Sequence, residues 1–144
     1  MVKKAFTLLE ILLVMALIGI LLAIVLQLVN PRRQFGDVKN MQRKSDVLSI
    51  YIAINQYRED NRGNLPAGIT TSAINICQTG CSENSTQIDI TAEISKYIRL
   101  GNPPIDPSQT GSILTGYTVY ATTQGKVIVS APLAENGITI NTIE

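Results

Sequence analysis

Near its N-terminus the chain carries a long apolar segment, residues 3–29, KKAFTLLEILLVMALIGILLAIVLQLV. Its last 19 residues, 11–29, carry no charge. As a helix with a rise of about 1.5 Å per residue, this run is long enough to cross the hydrocarbon layer of a membrane, which is about 30 Å thick. The alternative is an ordinary secretory signal peptide. That reading needs an apolar run of roughly 7–15 residues and an A-x-A-like cleavage site, which residues 27–31 do not offer.

Glu10 is a carboxylate inside this apolar segment. A charged side chain deep in a membrane helix costs about 2.5–3.5 kcal/mol on insertion scales, and such residues usually have a partner and a function. The apolar segment contains no cation that could pair with it. Either Glu10 lies near the membrane interface, where the cost is small, or its partner comes from another molecule.

Residues 3–10, KKAFTLLE, followed by the apolar run, resemble the prepilin signal of type IV pilins and type II secretion pseudopilins. The resemblance implies that a prepilin peptidase cuts between Ala5 and Phe6 and methylates the new amino terminus of Phe6. It also implies that Glu10 pairs with the terminal amine of a neighbouring subunit. The sequence departs from the family at Ala5, where glycine is usual.

The implied pair between Glu10 and the Phe6 amine is consistent with simple electrostatics. Two unit charges about 4 Å apart attract by about 4 kcal/mol at an effective dielectric near 20, which offsets the burial cost. A buried charge that has lost its partner typically costs about 3–5 kcal/mol. Glu10 is therefore expected to set the register of subunits during polymerisation.

Two residues are predicted to bend the stem. Gly19 matches the helix-weakening glycine of pilin stems, whereas the family's usual proline position, eight residues further on, holds Gln27. The proline follows as Pro31, and because proline removes a backbone donor and clashes with the preceding turn, we expect a bend or break near residues 27–31.

A basic collar follows the stem, and residues 31–46 carry a net charge of +3. Counting basic residues in short loops would place this collar in the cytoplasm, whereas the resemblance places the leader there and the head outside. One interpretation is that neighbouring subunits cover the collar with acidic residues such as Asp37 and Asp46. The other is DNA binding, which the near-neutral composition of the whole chain disfavours. The members of the collar are Arg32, Arg33, Lys39, Arg43 and Lys44.

The remainder predicts an α+β head. Residues 31–61 have helical periodicity with two apolar stripes, one through Val38, Met41, Ser45, Leu48 and Ile52 and the other through Val47, Ile50, Ile54 and Tyr57. Two stripes indicate one face for the domain itself and one for neighbouring subunits; a helix buried on both sides is the alternative. Residues 64–90 are interpreted as a polar loop with short ordered pieces, and residues 91–100 as a short helix capped by Thr91. Strands are predicted at 117–122, 126–131 and 138–141.

The expected architecture is thus a long N-terminal helix, the transmembrane stem continuing into the domain, packed against a small antiparallel β-sheet. We divide the chain into a leader (1–5, removed), a hydrophobic stem helix (6–30) and a pilin-like head (31–144) that includes the second half of the long helix.

Composition restricts the chemistry. The chain has no histidine and two cysteines, so histidine-based catalysis and a Cys/His zinc site of four ligands are excluded. Pseudopilins bind calcium in a carboxylate-bearing loop, but only Asp106 lies in the corresponding region, and calcium takes six to eight oxygens. We expect no metal, no cofactor and no enzymatic activity. Cys77 and Cys81 enclose a short loop and form a disulfide if the head is exported, or stay as free thiols otherwise.

The predicted function is that of a structural subunit of a type IV pilus-like filament, with itself as the main partner and membrane lipid before assembly. Prepilin peptidase, an assembly ATPase and a platform protein are partners by resemblance. The expected location is the cytoplasmic membrane, single-pass with the head outside, and then a surface filament. The alternatives are a secretion pseudopilin, a minor pilin with a DNA-binding role and a plain membrane-anchored domain that never polymerises.

Overall fold

The computed structural model describes residues 6–28 and 30–142. The chain divides into two compact units, Met1–Phe35 and Gly36–Glu144. The five leader residues, Val29 and the last two residues lie outside the described part, and so does the leader side of the predicted cleavage site.

Helix α1, Leu8–Leu28, begins where a side chain can satisfy its first backbone donor. The hydroxyl of Thr7 accepts a hydrogen bond from the backbone N–H of Glu10 at 3.2 Å, so Thr7 acts as the N-cap. Glu10, in the first turn, is also favourably placed for the helix dipole. Gly19 lies in the middle of α1, which runs without interruption, and no residue of α1 is buried.

Helix α2, Pro31–Asp60, starts at the proline near which a bend or break is expected. Pro31 needs no backbone donor at this position, and the side chain of Asn30 accepts a hydrogen bond from the N–H of Arg33 at 3.4 Å. The helix ends before Arg62 and Gly63, both of which have positive φ, and the N–H of Gly63 donates to the carbonyl of Arg58 at 2.8 Å. Asn–Pro thus separates two helices, and a glycine turn ends the second.

The two predicted stripes of α2 have different environments. The stripe with Val47, Ile50 and Ile54 is buried in the core, whereas the stripe with Val38, Met41, Leu48 and Ile52 is exposed. The alternative of a helix buried on both sides is therefore wrong.

The sheet has four strands, β1 (Ile74–Cys77), β2 (Gln87–Ile88), β3 (Leu114–Ala121) and β4 (Val127–Ser130), in the order β2-β1-β3-β4. β3 pairs antiparallel with β1 and with β4, but β1 pairs parallel with β2. The sheet is thus mixed and not purely antiparallel, because the chain crosses over between β1 and β2 instead of turning back in a hairpin.

The short ordered pieces expected in residues 64–90 are the strands β1 and β2. Two other local expectations need correction. Residues 138–141 form an isolated bridge, Ser130 with Asn141, and not a third full strand. Helix α3, Thr91–Ile94, is a single turn whose N-cap is Ile90, and Thr91 lies inside it. Asp89 explains the shift, because its side chain accepts the N–H of Thr91 at 2.9 Å.

The core lies between α2 and the sheet. Ile50 and Ile54 from the helix pack with Ile76, Tyr117 and Val129 from the strands, and all five side chains are completely buried. A helix packed on a small sheet is the α+β, pilin-like architecture that the sequence predicts.

Candidate assembly site

The surface of α1 is apolar all round, and Glu10 is its one charged residue. α1 is also the one described helix with the length and hydropathy to cross a membrane. A helix with no buried face inside its own chain is typical of a membrane span or of a segment that packs against other molecules. Glu10 and Phe6 are both exposed, so no side chain among residues 6–28 and 30–142 covers either of them.

The exposed stripe of α2 is the second candidate surface. Its large apolar side chains are between 43% and 70% exposed, although they belong to a helix whose other face is fully buried. Monomeric proteins rarely leave such contiguous apolar surface uncovered. The members of this exposed stripe are Phe35, Val38, Met41, Leu48 and Ile52.

The basic collar is only partly a surface feature. Arg32, Arg33 and Lys44 are exposed. Lys39 is half-buried and donates to Glu135 at 3.0 Å. Arg43 is completely buried, so its assignment to an exposed collar is wrong.

Arg43 instead forms a buried ion pair with Asp106. Its Nε lies 2.6 Å from one carboxylate oxygen and one terminal nitrogen lies 3.0 Å from the other, a bidentate arrangement. Asn40 and Ser108 accept two further hydrogen bonds from Arg43, each at 2.9 Å. Burial raises the pKa of Asp106, but the hydrogen bonds from Arg43 and Ser108 outweigh it and hold that pKa below its usual value. The pair therefore stays ionised in the core.

A second buried carboxylate, Asp46, accepts hydrogen bonds from the hydroxyl of Tyr117 at 2.7 Å and from Gln42 at 3.0 Å. Burial raises the pKa of Asp46 above its usual value. Burial together with the hydrogen bond to Asp46 raises the pKa of Tyr117. Asp46 was expected on an acidic surface facing a neighbouring collar. That expectation is wrong, because Asp46 is buried. Asp37 is exposed and accepts a hydrogen bond from Asn136 at 2.8 Å.

The same face of α2 anchors the loop that follows β4. The amide of Asn40 donates to the carbonyl of Glu135 at 2.9 Å, and its oxygen accepts the N–H of Glu135 at 3.0 Å. A Cβ on Gly36 would lie 2.8 Å from the side-chain nitrogen of Asn136, so the loop approaches the helix closely at this point. Asn40 thus fixes this loop on the helix, and Arg43 adds an ion pair with Glu135 at 3.5 Å.

Sequence reasoning missed this network, although a signal was present. Gly36, Asn40, Arg43, Val47, Ile50 and Ile54 follow helical spacing and lie on one buried face. Extending the core stripe towards the start of the helix leads directly to the buried arginine. Its partner Asp106 lies 63 residues away, and no sequence spacing predicts that contact.

The structure pairs Cys77 with Cys81, whose Cα atoms lie 6.2 Å apart. The enclosed loop is held on two sides: the N–H of Gln78 donates to the carbonyl of Ile113 at 2.8 Å, and the N–H of Gly80 donates to Asp89 at 2.8 Å. Cys77 is buried at the end of β1. The cysteine loop therefore joins the end of β1 to the residue before β3, Ile113, and to the residue after β2, Asp89.

In residues 6–28 and 30–142, no group of three or more His, Cys, Asp or Glu side chains is arranged to hold a metal ion. Asp106, the one carboxylate in the region where the resemblance suggested a calcium loop, is engaged by Arg43.

A protein-family model described as the Prokaryotic N-terminal methylation motif matches residues 1–26. Comparisons with curated proteins and with solved structures gave no match. The matched region contains Ala5, Phe6 and Glu10 and most of α1, and the head lies outside it. The motif, the membrane-capable helix and the α+β head together suit a precursor anchored in the inner membrane. The chain thus combines the prokaryotic N-terminal methylation motif, the class III signal peptide found in type IV pilins and pseudopilins, with a pilin-like α+β fold.

Proposed function

We propose that this chain is the structural subunit of a type IV pilus-like filament, released from its leader between Ala5 and Phe6 and polymerised through α1. The observation that carries the proposal is that α1 buries none of its residues within the chain, although it carries the methylation motif. Such a helix needs lipid before assembly and other copies afterwards.

The energetic argument concerns selectivity. Leaving lipid for a core of packed helices gains little hydrophobic free energy, because both surroundings are apolar. Close packing and the pair between the Phe6 amine and Glu10 then decide which arrangement forms. An out-of-register copy would leave Glu10 buried and unpaired, at a cost of about 3–5 kcal/mol.

The exposed stripe of α2 supports the same function from the head. Its apolar side chains are exposed although the opposite face of α2 is buried, and packing against other copies would remove them from water. The collar supports DNA binding less well than filament formation, because Arg43 is buried and Lys39 is paired with Glu135.

The proposal extends to location and partners. The precursor resides in the inner membrane with its head outside the cytoplasm, and the mature chain joins a filament at the cell surface. Prepilin peptidase processes it, and an assembly ATPase with a platform protein extracts it from the membrane.

The test replaces Glu10 by leucine in the full chain, with Gln27→Leu as the matched control, since both changes remove a polar group from the apolar segment. We expect both variants to enter the membrane normally and only Glu10→Leu to lose filaments. Amino-terminal sequencing of the wild-type chain should find N-methylphenylalanine at position 6.

Two results would contradict the proposal. One is a mature chain that still carries Lys3 and Lys4, which favours a plain membrane anchor. The other is unchanged filament yield in Glu10→Leu.

A further inference from the structure

A groove of about 630 Å³ lies in the head between α2 and the β4 edge of the sheet. Residues from Lys44 to Arg58 line its helix side, a length of about 21 Å at the helical rise. Val47 and Ile140 form buried parts of its floor, and Leu48 and Tyr51 line it more openly. The groove is long enough to take a short segment of another chain.

The groove is basic. Lys44, Arg58 and Lys126 line it, and none of its lining residues in the described part of the chain is acidic. These three cations form no ion pair with any described residue; the guanidinium of Arg58 donates to the carbonyl of Gly125 at 3.2 Å. Charge complementarity therefore calls for an anionic occupant.

The opposite edge of the same sheet is acidic. β2 forms this edge, and residues 81–94 around it contain three carboxylates and no cation. Glu83 is exposed, Asp89 and Glu93 are half-buried, and none of them forms an ion pair within residues 6–28 and 30–142. With strands about 4.8 Å apart, the two edges of a four-stranded sheet are separated by about 14 Å. The acidic segment of one copy cannot reach the groove of that copy.

We infer that the groove binds the acidic segment 83–93 of a second copy of this chain. This inference rests on the proposed function, because it makes the head a second source of contacts between filament subunits. The two surfaces are different and lie at opposite edges, so the contact is heterologous: the groove of each copy binds the acidic segment of the next copy. Such a contact repeats from copy to copy and, unless the rotation closes a ring, produces an open helical array.

The first test is charge reversal in the full chain. Lys44→Glu with Lys126→Glu should reduce filament yield by at least about tenfold, since two attractive contacts become repulsive. Adding Glu83→Lys and Glu93→Lys to the same chain should restore the yield. The matched control is Arg62→Glu with Arg99→Glu, which makes the same change in net charge at exposed positions outside the groove and should retain wild-type yield.

The second test is zero-length cross-linking of wild-type filaments with a carbodiimide, which joins an amine to a carboxylate in direct contact. Filaments grown from a mixture of unlabelled and ¹⁵N-labelled chains should give peptides that join Lys44 or Lys126 of one isotope to Glu83, Asp89 or Glu93 of the other.

The outcomes separate this inference from the proposed function. If the wild-type chain forms no filaments, the proposed function fails and the inference fails with it. If filaments form but the reversed groove leaves their yield unchanged, or the fourfold variant is not restored, only the inference is overturned. The same holds if the reversed groove leaves filaments intact and instead weakens their binding of a single-stranded oligonucleotide, because the occupant is then a phosphate polymer.

Discussion

Helices α1 and α2 follow each other in the chain, yet they differ in how their apolar side chains are buried. α1 has 21 residues and buries none of them, whereas α2 has 30 residues and buries eight, all on one face. The difference separates a helix that packs against its own domain from a helix that has no buried face in the described part of the chain. The buried face of α2 is stabilised inside the chain, whereas under the proposed function α1 is stabilised by lipid before assembly and by other copies afterwards.

The first prediction tests the stability of the head by a substitution that leaves α1 unchanged. Asp106→Ala removes the bidentate partner of the buried Arg43 and leaves it only the longer ionic contact with Glu135, at 3.5 Å, which should lower the free energy of unfolding of the head by about 3–5 kcal/mol. The measurement is urea unfolding of the full chain in detergent, followed by tyrosine fluorescence. Asp37→Ala removes an exposed carboxylate from the same region and should cost less than about 1 kcal/mol. Equal effects of the two variants would refute the role of the buried pair.

The two faces of α2 can be compared directly. Ile50→Ala removes a fully buried side chain and should cost about 2–5 kcal/mol in the same unfolding measurement. Ile52→Ala, on the exposed stripe, should change unfolding by no more than about 0.5 kcal/mol but reduce filament yield. If Ile52→Ala alters neither quantity, the exposed stripe does not pack against other copies.

A charge in the middle of α1 tests the other side of the comparison. Leu17→Arg should disfavour membrane insertion by about 2.5–3.5 kcal/mol, because the helix has no partner there for a cation. Ser45→Arg places the same charge on the exposed side of α2 and should leave insertion unchanged. Extraction of membranes with alkaline carbonate measures the inserted fraction. Equal retention of both variants would show that α1 does not span the bilayer.

The smallest expected effect concerns the cysteine loop. Replacing Cys77 and Cys81 together by alanine should cost about 2 kcal/mol by the loop-entropy relation, because the closed loop contains only five residues. Reduction of the wild-type chain should produce the same shift in unfolding, with membrane insertion through α1 unaffected. Thiols of the exported chain that react with an alkylating agent before reduction would contradict the prediction.

Part of the head could be predicted from local pattern. The alternation around Tyr117 and Val119 and the turn at Gly125 located β3 and β4, and the stripe through Val47, Ile50 and Ile54 located the buried face of α2. The short strands β1 and β2 could not, because four and two residues within a polar segment give too little periodicity to outweigh their turn-forming neighbours. A charged side chain is usually exposed, so the sequence alone places Arg43 on the surface, whereas the ion pair with Asp106 and the hydrogen bonds to Asn40 and Ser108 make its burial possible.

Local sequence is enough to predict the membrane-capable helix, the position of Glu10 in it and the methylation motif, because each depends on neighbouring residues along the chain. Folding is needed to explain the burial of Arg43, the parallel pairing of β1 with β2, and the basic and acidic edges of the sheet. These features join residues that are distant in sequence, and their free energies come from contacts that form only when the chain folds.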